Sequence, residues 1–211
     1  MAIPKKRTQA ERTDRSDRRM LQAAVKLIVA NGVEKTTLKD VGENAGYSRG
    51  LAGYRFGSKA GMLAFIVRTI GEDWLKDLKR AVEGLEGYEA MAAAIDEHLS
   101  FCLDAPDRVR AFYILWFEAA APQSAVRQVV SGIHDRRRRD VARWIAGAVA
   151  RGAPQPAMPA NDIAGQFNTA IIGIVYHWLQ HPGDTEGVAQ LHENLKITMR
   201  RLLEPAFTTG K

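Results

Sequence analysis

Between Thr37 and Phe56 the chain carries two helix starts separated by a glycine, and that punctuation leaves little choice of local fold. Thr37 stands where a hydroxyl accepts from the orphan amide near Asp40, and Asp40 is placed to reach back and complete a capping box. Leu38, Val41 and Ala45 recur at spacings of three and four, which puts them on one face. Gly46 follows where a helix closes on a left-handed residue, and Ser48 opens a second helix from Arg49 to about Phe56. Helix, glycine turn and capped helix make a helix-turn-helix. Arg49 and Arg55 flank its second helix, where a guanidinium can fork onto guanine O6 and N7 or clamp a phosphate.

Everything else in the chain supports an all-α fold. A stripe of Leu21, Ala24, Val25, Leu27 and Ile28 marks a bracing helix from about Asp14 to Asn31, closed by Gly32. Ser58 caps a long helix through Met62, Ile66, Ile70, Trp74 and Leu78 that breaks at Gly84 to Gly87. Met91 to Cys102 forms the next, closed near Pro106; Val109 to Ala120 and Ser124 to Ala150 follow. Gly152, Pro154, Pro156 and Pro159 allow only a loop, and Asn161 to His181 and Thr185 to about Glu204 form a final pair. No run alternates with period two for long enough to suggest a sheet.

Charge separates the two ends of the chain. Residues 1–59 carry 13 Lys and Arg against 6 Asp and Glu, a net +7, and the remainder carries 17 against 18, a net −1. Polyanion affinity is therefore expected at the helix-turn-helix end, where phosphate neutralisation releases counterions. The single cysteine, Cys102, excludes an internal disulfide and fits a reducing cytoplasm. Lys5-Lys6-Arg7 is followed by no apolar run of signal-peptide type, and the longest apolar stretch, Ala170 to Val175, is too short for a membrane span. A soluble, cytoplasmic protein without membrane partners is expected.

The helix-turn-helix and its flanks resemble the N-terminal domain of the tetracycline-repressor (TetR) family of bacterial transcription regulators. Arg19 to Ile28 with Gly32 and Thr36-Thr37 has the family's first-helix pattern, and Phe56-Gly57-Ser58-Lys59 with Met62-Leu63 matches the entry to its fourth helix. The likeness covers roughly the first third of the chain. One departure is visible: Gly53 stands where the family's recognition-helix aromatic falls, and the tyrosine is displaced to Tyr54.

The resemblance implies a transcriptional regulator, most simply a repressor and not an enzyme, whose DNA-facing residues are Thr37, Ser48, Arg49, Gly50, Leu51, Tyr54, Arg55 and Lys59. It divides the chain into a disordered basic arm over 1–12, a DNA-binding domain over 13–59, a helical ligand-binding and dimerisation domain over 60–206, and a flexible tail over 207–211. The arm can equally be a solvated tail or a groove-contacting strand. Double-stranded DNA with a near-palindromic operator, a small-molecule effector and a second copy of the chain are the implied partners; no cofactor or metal is expected. The dimer would be built by Phe167, Ile171, Ile174, Val175, Trp178, Leu191, Leu195 and Leu202, because a helix apolar over so much of its circumference needs burial on two sides.

Phe101, Phe112, Tyr113, Trp116 and Phe117 concentrate on two successive helices. Taken alone they are core as readily as pocket; the family likeness favours an effector pocket of these five with His98, Cys102 and His177. Other constellations weigh less. Gly46-Tyr-Ser48-Arg-Gly50 spells a hydrolase elbow, but a capped helix precedes it where that motif needs a strand, so a hydrolase is the rival of another class. An effector-free DNA-binding module is the third reading. His177 and His181 have zinc-ligand spacing without the glutamate of that motif, and Arg136 to Arg139 point around most of a helix, bracketed by Asp135 and Asp140, as a solvated surface does.

Overall fold

The computed structural model describes residues 8–205, and helix is the only regular structure among them. In order these are α1 (Gln9–Asn31), α2 (Leu38–Asn44), α3 (Arg49–Phe56), α4 (Lys59–Ala81), α5 (Gly87–Asp104), α6 (Pro106–Glu118), α7 (Arg127–Ala150), α8 (Ala160–Gln180) and α9 (Thr185–Leu202). The all-helical expectation holds. The tail over 207–211 and the first seven residues of the basic arm lie outside the described residues.

α1 starts five residues before Asp14, so residues 9–12 of the expected arm are helical. Thr8 caps the helix: its Oγ1 accepts from the Glu11 amide at 3.2 Å, and the Glu11 carboxylate accepts from the Thr8 amide at 2.8 Å. The apolar stripe begins only at Met20, so the polar first turns leave no periodic signal. α7 begins at Arg127 and not Ser124, because the Ser124 hydroxyl accepts from the Val126 amide at 3.3 Å and holds a turn.

Two compact units result. One comprises Met1–Ile70 with Arg110–Val129, the other Gly71–Val109 with Val130–Lys211, so α4 contributes a stretch to each. In the first, Met20, Ile28, Val41, Ala52, Met62 and Ile66 are wholly buried. α4 enters this unit close to the end of α3: a Cβ at Gly61 would fall 2.1 Å from the Phe56 carbonyl oxygen, an approach only glycine permits. In the second, α9 packs on α5 and α8 around Met91, Ile95, Val175, Trp178 and Val188. Lys196 of α9 donates to Asp96 of α5 at 2.8 Å, and the Arg200 guanidinium lies 4.4 Å from the Tyr88 ring centre.

Six of the eight residues expected at a dimer interface are buried in this unit's own core. Phe167, Ile171, Ile174, Val175, Trp178 and Leu195 are each no more than 7% exposed, and Leu191 and Leu202 are half-buried. The sequence pattern identifies α8 as apolar but does not say which part of its circumference faces inward. The outward part carries Gly165, Thr169, Ile172, Gly173 and Tyr176.

Candidate functional site

The Thr37 hydroxyl caps α2, accepting from the Asp40 amide at 3.2 Å and donating to Asp40 Oδ2 at 2.6 Å. That second bond takes the place of the expected capping box, since the carboxylate is held by the hydroxyl and not by the Thr37 amide. At the turn, Gly46 has φ +77° and the Tyr47 amide donates to the Gly42 carbonyl at 2.8 Å. A Cβ at Gly42 would meet the Ser48 carbonyl oxygen at 3.0 Å, which shows how closely α2 and the start of α3 approach. Ser48 then caps α3 through the Leu51 amide at 3.2 Å. The serine of the hydrolase-like motif is thus a helix cap preceded by a helix.

α3 buries Ala52 and turns the opposite face outward. Arg49, Gly50, Leu51 and Tyr54 are exposed, Tyr54 at 90%. A Cβ at Gly53 would meet nothing within 4 Å, so this side of the helix is nearly bare backbone beside a guanidinium and a phenol. Such a surface can approach a phosphate backbone closely.

Arg55 is placed differently from Arg49. Its Nε and Nη2 donate to Asp17 Oδ1 and Oδ2 at 2.6 and 2.5 Å, a bidentate pair that fastens α3 to α1, and its guanidinium lies 5.8 Å from the Phe65 ring centre. The hydrogen bond to Asp17 pushes the Arg55 pKa up. The fork that was expected to address DNA is engaged by protein. Asp17 is 38 residues away, so no local spacing announces it. Lys59 Nζ donates to the Glu34 carbonyl at 2.9 Å, tying the start of α4 to the segment after α1.

The second unit holds a small, partly open cavity of about 20 Å³, room for about one water molecule. Its walls come from α4, α5, α7 and α8, with Trp74, Trp144 and Phe167 as aromatic faces and His98, Arg137, Asp140 and Asn168 as polar ones. Arg137 is 7% exposed and its guanidinium stacks 4.3 Å from the Trp74 ring centre. It is a wall of the cavity, not part of a solvated arginine run; Arg137, Val141 and Trp144 share the inward stripe of α7 at spacings of four and three. Asp140 accepts from Arg143 at 2.8 Å.

Behind the cavity lies a buried histidine pair. His192 Nδ1 is 2.7 Å from the Val188 carbonyl oxygen and must donate to it, so His192 Nε2 accepts from His98 Nδ1 at 2.9 Å. Burial lowers the pKa of both, His98 well below the ordinary value, with further lowering there by His192 and Arg137. Cys102 Sγ lies 3.9 Å from His98 Nδ1, and burial pushes its thiol up to about 12. These three side chains offer one nitrogen or sulfur each within 4.8 Å, the reach of a metal set. The two nitrogens, however, are joined by a shared proton, and the charge that acts on His98 and Cys102 is the Arg137 cation, so the arrangement is that of a neutral hydrogen-bonded chain.

Of the residues expected from sequence at an effector pocket, His98 lines this cavity and Cys102 sits beside His98. Phe101 is half-buried on α5. Phe112, Tyr113 and Trp116 form a ring cluster with centroids 5.1 to 5.8 Å apart inside the first unit, and Phe117 is 37% exposed. His177 is half-exposed, 3.3 Å from Asp184 Oδ2.

A capped helix-turn-helix with a basic, exposed second helix, at the N-terminal end of an otherwise helical chain, defines a DNA-binding transcriptional regulator. The chain matches, over residues 20–65, the family described as bacterial regulatory proteins, tetR family. It is 25% identical over 194 residues to the uncharacterised helix-turn-helix regulator YfiR of Bacillus subtilis, covering 92% of this chain and 95% of that one. It is 31% identical over 122 residues to the regulator BetI of Agrobacterium fabrum, covering 57% and 58%. Its fold matches a regulator from Saccharomonospora viridis solved in complex with choline, with a TM-score of 0.75 at 18% identity over 89% of this chain and 96% of that one.

Proposed function

We infer that the protein is a homodimeric cytoplasmic repressor whose second unit binds a small molecule and thereby changes the affinity of α3 for an operator. The observation that carries the DNA-binding part is the division of α3 into a face that packs through Ala52 and a face that offers Arg49, Gly50, Leu51 and Tyr54 to solvent. With Thr37, Ser48 and Lys59 at or beside helix N-termini, these residues form the DNA-contacting set; Arg55 contributes by holding α3 against α1. The effector part is supported by the cavity between α4, α5, α7 and α8 and by the small molecule in the S. viridis regulator. No catalytic step enters this reading. An effector can shift the equilibrium only by its differential affinity for the DNA-binding and released states.

A gel shift with DNA flanking the protein's own gene is the test. Retardation that weakens steeply with salt and is lost in Arg49→Ala is the expected result, and no preference for that DNA over random duplex would overturn the reading.

A further inference from the structure

We propose that His98, Cys102 and His192 form a buried site for a soft monovalent cation, copper(I), which on binding ties α5 to α9. The site stands apart from the DNA-binding and effector readings and depends on neither.

His98 and Cys102 are four residues apart on α5 and so share one face of that helix, and α9, which packs on α5, brings His192 to them. His98 Nδ1 lies 2.9 Å from His192 Nε2 and 3.9 Å from Cys102 Sγ, and the three ligand atoms all fall within 4.8 Å of one another. Metal bonds of about 2.0 Å to nitrogen and about 2.3 Å to sulfur place the atoms of a planar three-ligand set about 3.5 to 3.8 Å apart. To take an ion the nitrogens part by about half an ångström and the sulfur moves by no more than about 1 Å. The outer support is already in place. His192 Nδ1 donates to the Val188 carbonyl at 2.7 Å, which fixes the ring and leaves Nε2 as its ligand atom. His98 also lines the small cavity, which admits one water-sized body and so gives a bare ion a way in.

The donors select the ion. A thiolate and two imidazoles suit copper(I), and no carboxylate belongs to the set, so magnesium, calcium and manganese are poorly matched. The metal-free form is the neutral hydrogen-bonded chain already described. On binding, the thiol proton leaves to solvent, the proton on His98 Nδ1 moves to Nε2 of the same ring, and the ion bonds Cys102 Sγ, His98 Nδ1 and His192 Nε2. A monovalent ion therefore replaces one proton and leaves the charge of the cluster unchanged. A divalent ion would add a charge among side chains each no more than 1% exposed, and zinc would also lack the fourth ligand of its structural sites. Asp96 and Glu193, whose charges reach His192, hold Lys196 at 2.8 and 2.6 Å and lie outside the ligand set.

The experiment is an anaerobic titration of the full chain with copper(I), kept reduced by ascorbate, against the colorimetric chelator bicinchoninate, with silver(I) and zinc(II) in parallel. One copper(I) per chain should be withdrawn from the chelator, and X-ray absorption should show two nitrogens and one sulfur around it. Copper(I) and silver(I) should raise the melting temperature, and zinc(II) should not. Cys102→Ala and His192→Gln should each cut copper(I) affinity at least a hundredfold; Cys102→Ala exchanges one small buried side chain for another, which keeps the test open if His192→Gln fails to fold. His177→Gln with His181→Gln, at the C-terminal end of α8 and outside the cluster, should leave binding unchanged. Copper(I) that stays with the chelator, binding that survives Cys102→Ala, or binding lost with the His177 and His181 pair would overturn the proposal, as would zinc(II) held as tightly as copper(I).

Discussion

Arg55 shows how one long-range contact redirects a residue. Its position on the recognition helix suggests a base or phosphate contact, yet its fork is filled by Asp17 across two helices. Arg55→Ala and Asp17→Ala should therefore each lower stability by about 1 kcal/mol, an amount limited by the partly exposed guanidinium, and weaken DNA binding alike on every sequence. Arg49→Ala should leave the melting temperature unchanged and cost about 1 to 3 kcal/mol of sequence-dependent affinity if the side chain reads a base. A competition series across operator variants separates the two behaviours; Asp17→Ala with unaltered stability and DNA affinity would refute the brace. The buried histidines make a second prediction at this scale. His98 and His192 are depressed below the ordinary value of 6.5, so the unfolded chain binds protons that the folded chain refuses. Stability is then full above that value and falls as pH drops below it, by up to about 1.4 kcal/mol per pH unit per histidine until the folded pKa is reached. The urea midpoint should fall between about pH 7.5 and 5.5, and His98→Gln with His192→Gln should flatten the difference. Equal slopes in the two proteins would remove this assignment.

At the scale of elements, what the sequence disclosed depended on whether the determining contact was local. Caps and turns need only a few neighbouring residues, so the Thr37 and Ser48 caps, the Gly46 turn and the Pro-rich loop were all legible. The first turns of α1 were not, since a polar helix held by Thr8 and Glu11 has no apolar period. The cavity was legible only in part: His98 stood out, whereas Trp74, Trp144 and Asn168 come from different helices brought together by packing. Arg137 was hidden by its neighbours, because four arginines in a row read as surface unless the i, i+4, i+7 stripe with Val141 and Trp144 is followed. α3 supplies the prediction proper to this scale. Gly53→Ala adds a Cβ into open space and should raise helix stability by about 1 kcal/mol. If that bare face lies against a phosphate backbone, the same substitution weakens operator binding despite the stabler fold, which thermal melting and gel shift on one preparation would show together. An affinity that rises with stability would place the DNA elsewhere on the domain.

For the whole molecule, the question is what covers the outer side of α8 and α9. Phe167, Ile171, Ile174, Val175, Trp178 and Leu195 are spent on the second unit's own core, so the second copy proposed above would use what remains. Tyr176 is 56% exposed and Ile197 53%, on the two last helices, and Gly165 and Gly173 have nothing within 4 Å of a built Cβ, which lets a second helix approach closely. In the proposed dimer a two-fold copy of the same pair would cover this surface, since an isologous contact repeats the same small and apolar residues on both sides. Such a dimer would set two α3 helices for major grooves about 34 to 36 Å apart and so require a near-palindromic operator. Tyr176→Glu with Ile197→Glu should then yield a folded monomer that has lost operator affinity, because two half-sites no longer bind as one unit. Ile171→Glu, at 4% exposure, should unfold the second unit. Sedimentation at micromolar concentration with circular dichroism distinguishes the outcomes: a dimer that survives the outer pair of substitutions would move the interface off these helices.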